Sequence, residues 1–234
     1  MRPLGSRTAQ PTPAERMRSV LAAARSMTVL TDGVSTEVHH LDGTGVMGHI
    51  HLHEPSGDAP AASAARVPVR LEITDIAPTP VRDRLRARVT LTGLPAAPCD
   101  AESAESTCME FGQAVLEDGT GRTFVSLDDL RAAAPDPLAV CEAGMLTRLL
   151  DGRGELVPLL LRLVRPQPRR GLLRAVPVAL DRYGITLRLE YPGGHEDVRL
   201  PFAAPVTAAG HAGSRIHALL TAARRASHPN RLPA

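Results

Sequence analysis

Two alternating apolar runs in the last third of the chain constrain its fold most. Ile185, Leu187, Leu189 and Tyr191 form the first, Val198, Leu200 and Phe202 the second, and Pro192-Gly193-Gly194 separates them. Alternation at period two puts each set on one side of a strand, so the pair reads as a hairpin with one buried face. A third β-like run starts near Val176. Thr207 is placed to cap a last helix in which Ile216, Leu219, Leu220 and Ala223 recur at helical spacing. Residues 176–225 therefore read β-β-β-α.

Upstream, Thr12, Pro13 and Glu15 form a capping box with proline at the first helical position, and Met17, Val20, Leu21 and Ala24 supply an apolar stripe. Strands are expected over residues 27–30, 34–41, 46–53, 67–76 and 84–94, broken by Asp32-Gly33, Asp42-Gly43 and an Ala/Pro/Ser-rich stretch over 55–66. Five strands in so short a span imply a barrel. After an acidic loop over 95–107, residues 114–116 and 123–125 read as a short hairpin around Asp118-Gly119, followed by a helix capped by Ser126 with Asp129 three residues on. Asp136 and Pro137 start a helix carrying Leu138, Cys141, Met145 and Leu149, which ends at Gly152 and Gly154. Another begins near Glu155, with Pro158 tolerated in its first turn. The fold class is α+β: an antiparallel β-barrel over 12–133, a small α/β domain of order α-α-β-β-β-α over 134–228, and tails at 1–11 and 229–234.

A chain of 234 residues with 43% hydrophobic and 22% charged residues has enough apolar surface to fold without a staple. All 27 basic residues are arginine. The lack of lysine excludes a P-loop lysine, a lysine Schiff base and a lysine general base. Cys99, Cys108 and Cys141 are odd in number and show no C-x-x-C spacing, so a reducing, cytoplasmic setting is expected. No signal-peptide core is seen, and the greasiest run, 156–164, is too short to span a bilayer. With 2% aromatic residues and a net charge of +2, nucleic acid is not an expected partner.

Chemistry is concentrated in two strands. His49, His51 and His53 alternate on one strand face, and His39 or His40 on the preceding strand would approach across a hairpin; such a set suits iron or zinc. Plain solvent-facing polarity is the competing reading. Arg84, Arg86 and Arg88 form a second ladder, suited to phosphate or carboxylate groups, or else closed by salt bridges to neighbours such as Glu72. Gly43-Thr44-Gly45-Val46-Met47-Gly48 matches G-x-G-x-x-G but leads into an alternating strand where a dinucleotide loop would open a helix, so it reads as a turn. No G-x-S-x-G elbow is present. Cys108 reads as a packed small hydrophobe, and Cys141 as buried on its helix.

The C-terminal block resembles the DUF2470 domain: Asp181-Arg182-Tyr183-Gly184 is similar to its D-x-x-G turn, and Val198-Arg199-Leu200-Pro201-Phe202 to its V-R-L-P-F strand. Ser26 to Gly33 and Arg88-Val89-Thr90-Leu91-Thr92-Gly93 resemble strands of the FMN-binding, pyridoxamine 5'-phosphate oxidase-like split barrel that precedes that domain in haem-utilisation proteins. The resemblance implies a cytoplasmic homodimer that binds a haem-type or flavin-type ligand with reduced or no catalysis. Alternatives are an inert protein-binding regulatory module of the same fold and an FMN-dependent oxidoreductase. Where haem-linked relatives carry H-M-N-x-D-H, this chain has Arg148-Leu149-Leu150-Asp151-Gly152-Arg153. Arginine cannot ligate iron, yet Arg148 and Arg153 suit haem propionates. The stretch after the third strand, which grips flavin phosphate in such barrels, offers only Ser56, Ser63 and Arg66. Coordination thus falls to His49, His51 and His53 or His39 and His40, and anion binding to Arg84, Arg86 and Arg88.

Overall fold

The computed structural model describes residues 9–39, 50–54, 67–96, 107–151 and 155–226. The chain divides into two compact units: Thr12–Ile76 with Leu85–Ala139, and Ala77–Arg84 with Val140 onward and the first residues of the chain.

The first unit is a curled half-barrel closed by helices. α1 (Pro13–Ala23) starts as its capping box requires: Thr12 Oγ1 accepts from the Glu15 amide at 3.2 Å, and Glu15 Oε2 accepts from the Thr12 amide at 2.8 Å. β1 (Ser26–Thr31) and β2 (Val34–His39) are joined by Asp32 and Gly33 at φ 50° and 76°, the two positive values that a type I′ turn demands. β3 (Ile50–His53), β4 (Val69–Ile76), β5 (Leu85–Pro95), β6 (Thr107–Asp118) and β7 (Gly121–Val125) follow, then α2 (Leu127–Ala132). Their order in the sheet is β2-β1-β4-β5-β6-β3, with β7 also on β6. All pairs are antiparallel except β3 with β6. Met17 and Leu21 of α1 pack with Leu71, Ile73, Val89, Leu91, Met109 and Leu130 in the core. Arg16 fixes the helix to the strands, donating to Asp118 Oδ2 at 2.7 Å and to the Arg86 carbonyl at 3.0 Å.

β6 is much longer than the expected residues 114–116. Its first half, including Cys108, Met109 and Phe111, is ordered by ladders to β5 and β3, which no local apolar run announces. The helix after Ser126 forms as expected, with the hydroxyl accepting from the Asp129 amide at 3.0 Å.

The second unit holds α3 (Glu142–Asp151), α4 (Leu156–Leu161), β8 (Arg174–Asp181), β9 (Gly184–Tyr191), β10 (Gly194–Pro201) and α5 (Ala212–Arg225), in the expected α-α-β-β-β-α order. The strands form an antiparallel sheet of order β10-β9-β8. α3 starts later than Asp136 and Pro137 because Asp136 Oδ1 accepts from the Leu138 amide at 2.8 Å, closing a turn there. Cys141 is consequently half-buried ahead of α3, not buried on it, and the apolar face is Leu146 and Leu149. α5 likewise starts at Ala212, after a 3-10 turn over Ala209–His211, and not at Thr207.

β9 departs from the one-faced expectation. Ile185, Leu187, Leu189 and Tyr191 are buried as predicted, but Arg188 and Glu190, which point the other way, are also only 5% and 7% exposed. Their cover is Ala77–Arg84, the connection between β4 and β5. Ala77 and Val81 pack on Val176 and Val178, and Thr79 Oγ1 donates to the Pro177 carbonyl at 2.8 Å.

Candidate functional site: the histidine edge of the half-barrel

β3 ends the sheet path, so one side of its backbone has no strand partner among the described residues. Ile50 and Leu52 join the core side, Ile50 at 3% exposure. His51 and His53 alternate to the other face, His51 exposed and His53 half-exposed. In register they stand beside Cys108 and Glu110 of β6. Helix residues complete the surroundings: Arg18 from α1 and Leu127, Leu130 and Arg131 from α2 join β3 around an open depression of about 240 Å³. Arg131 donates to the Leu52 carbonyl at 3.2 Å and pairs with Glu54, so it binds the strand edge and sits at the rim as a member of an exposed ion pair.

This arrangement differs from the expected histidine cluster. β2 and β3 do not form a hairpin; they lie at opposite ends of the sheet order. His39 is therefore not brought to β3 by strand pairing, and its Nε2 lies 3.5 Å from Glu37 Oε1. His40, His49 and the Gly43–Gly48 turn lie outside the described residues. Among the described residues no group of three or more His, Cys, Asp or Glu side chains is set to hold a bare metal ion. Two imidazoles beside two guanidinium groups could offer a nitrogen donor to a metal that brings most of its own ligands, and cations to anionic groups on that ligand. Arg18 and Arg131 have no signature in the sequence. They reach β3 only through the packing of α1 and α2.

The arginine ladder does not act as one surface. Arg84 falls before β5, in the connection belonging to the second unit, where its Nε and Nη2 donate to the Ala77 carbonyl at 3.1 and 2.9 Å. Arg86 is closed on Asp75, with Nη2 to Oδ1 at 2.6 Å; Glu72 instead pairs with Arg70. Arg88 is exposed beside Glu117 in register. The depression around Arg86 and Arg88, of about 310 Å³, is also lined by Glu117 and Asp118, a poor environment for an anion. In the second unit Arg148 is exposed on α3, while Arg153 lies outside the described residues.

A second polar centre, in the other unit, is one that the alternation pattern concealed. Arg188 Nε and Nη2 grip both carboxylate oxygens of Asp197 at 2.7 Å each, while Nη1 donates to the Arg82 carbonyl at 2.7 Å and also to that of Asp83. Glu190 accepts from Arg174 at 2.7 and 3.1 Å and from the Arg82 amide at 2.8 Å. The Arg174 hydrogen bonds above all, helped by that amide, hold its carboxyl below the ordinary 4.5 despite burial. Its partners are all satisfied within the fold. The cluster locks the 77–84 connection to the sheet.

No family model matches the chain, and no curated protein matches it. Among solved structures, it is similar to a heme-binding protein from Mycobacterium smegmatis, with a TM-score of 0.58 over 93% of this chain and 99% of that one, at 18% identity. The likeness therefore spans both units, and at that identity it establishes a shared fold.

Proposed function

We propose that the protein binds a haem-type tetrapyrrole at the histidine edge of its half-barrel, as a member of the haem-utilisation type whose second domain is DUF2470-like. The observation that carries this reading is the grouping of His51 and His53 with Arg18 and Arg131 around one open depression, on a fold shared with a heme-binding protein. The α-α-β-β-β-α order of the second unit supports the family assignment.

The donor set fits the group. One of His51 or His53 would ligate the iron, and Arg18 and Arg131 would pair with propionates. Leu127 and Leu130 give the macrocycle an apolar edge to lie against. The iron-bound ligand would supply redox or gas-binding chemistry. Titration of purified protein with hemin tests the reading through a shifted Soret band that weakens in His51→Ala with His53→Ala. A band that is absent, or the same in the double variant, sinks it.

A second reading, an inert protein-binding module in the cytoplasm, draws support from the pairing of Arg131 with Glu54 and Arg86 with Asp75, which neutralises cations that an anionic ligand would use. It predicts colourless protein that shows no hemin-dependent band. No helix among the described residues is long and apolar enough to cross a membrane.

A further inference from the structure

The net charge of +2 hides a segregation between the two units. Among the described residues, the half-barrel unit carries eight arginines against 12 carboxylates, and the second unit 14 arginines against eight, leaving −4 and +6. Within the second unit the sheet spends its acids locally: Glu190 on Arg174, Asp197 on Arg188, Asp181 on Arg199 and Glu196 on Arg169. α5 has no acidic residue over its 14 positions, and its outer face presents His217, Arg224 and Arg225, all exposed, with no carboxylate partner among the described residues. His217 and Arg224 are two turns apart on that face, with Thr221 between them and Arg225 beside them. The inner face, Ala212, Leu220 and Ala223, is buried in the unit's own packing. The α5 charge is thus excess that the fold does not consume.

We infer that the outer face of α5 is a docking surface for the acidic surface of another protein. Charge complementarity selects the sign of the partner, and the rest of the surface selects its class. No large apolar side chain stands among His217, Thr221, Arg224 and Arg225 to insert into a membrane. Both tyrosines of the chain are buried or half-buried in the sheet and offer no platform for bases. Duplex DNA presents a long continuous line of phosphates, whereas the basic face of α5 spans only two helical turns and matches a compact acidic patch on a folded protein. This surface shares no residue with the histidine edge, so it stands or falls independently of tetrapyrrole binding.

The test uses the full chain and a fluorescently labelled polyglutamate peptide, with duplex DNA and phosphatidylserine vesicles as competitors. The peptide is expected to bind with an affinity that falls at least about tenfold between about 0.05 and about 0.5 M salt. Arg224→Gln with Arg225→Gln is expected to weaken it by a similar factor at low salt, while Arg70→Gln in the other unit leaves it unchanged. Both substituted α5 residues are exposed, so an unchanged thermal midpoint shows the fold intact. Hydrogen exchange should show peptide-induced protection in α5. Equal affinity in the double variant, protection elsewhere, or tighter binding of DNA or vesicles than of the peptide would each overturn the proposal.

Discussion

Arg188 and Glu190 are the residues whose roles depend most on the tertiary fold. A buried ion pair contributes little net stability compared with an apolar pair, but removing one member strands the other. Arg188→Ala leaves the carbonyls of Arg82 and Asp83 without their shared donor but frees an Asp197 carboxylate that is already 39% exposed, and is expected to cost about 1–3 kcal/mol in urea unfolding. Glu190 gives a pH signature. Its carboxyl titrates below its ordinary 4.5 in the folded protein, so the folded state binds fewer protons there than the unfolded state does. Its contribution is complete above 4.5 and is lost as pH falls through the lowered value. Urea midpoints measured from neutral pH downward should therefore drop in that acid window, and Glu190→Gln should flatten this part of the profile while lowering stability at neutral pH. Neither residue could be recognised from strand alternation, which correctly puts them on the face opposite Ile185 and Leu187 but cannot know that residues 77–84 cover that face.

At the scale of elements, legibility follows the range of the interactions that make each one. The α1 capping box and the Asp32-Gly33 turn are built from neighbours in sequence, and both appear where the sequence predicts them. Thr12→Ala should cost about 1 kcal/mol by removing the hydroxyl from the Glu15 amide, read as a lower thermal midpoint. β6 is longer and α3 starts later than the local sequence implies, because long ladders and a side-chain turn decide them. Gly93 shows the same dependence: β5 shifts register there, and an added Cβ would run into the Glu110 carbonyl and the Met109 side chain on β6. Gly93→Ala is expected to destabilise by about 1–3 kcal/mol, as overpacking does, with a reduced urea midpoint. The parallel β3–β6 pair lies beyond any local pattern. It separates β3 from β2, dismantling the predicted histidine hairpin and leaving His51 and His53 at a sheet edge beside α1 and α2.

For the whole molecule, the α+β class and the order of elements were legible because periodicity and punctuation carry them. The candidate site was legible only in part: the sequence named His51 and His53, whereas Arg18 and Arg131 join them through the closure of the half-barrel. The three arginines of the ladder meet different partners in different units, which strand alternation could not show. The grouping of His51 and His53 with Arg18 and Arg131 is the observation on which the proposed tetrapyrrole binding rests. Arg131→Ala removes one of those cations and should weaken hemin binding by about 1 kcal/mol, roughly fivefold, while the Soret position of the complex is retained because the iron ligand is unchanged. The most direct measurement is a hemin titration of the intact chain followed by its Soret band, in parallel with His51→Ala and His53→Ala alone and together. Saturable binding with a shifted band, lost when both imidazoles are removed, is the predicted result; no saturable shift, or one indifferent to both substitutions, would contradict it.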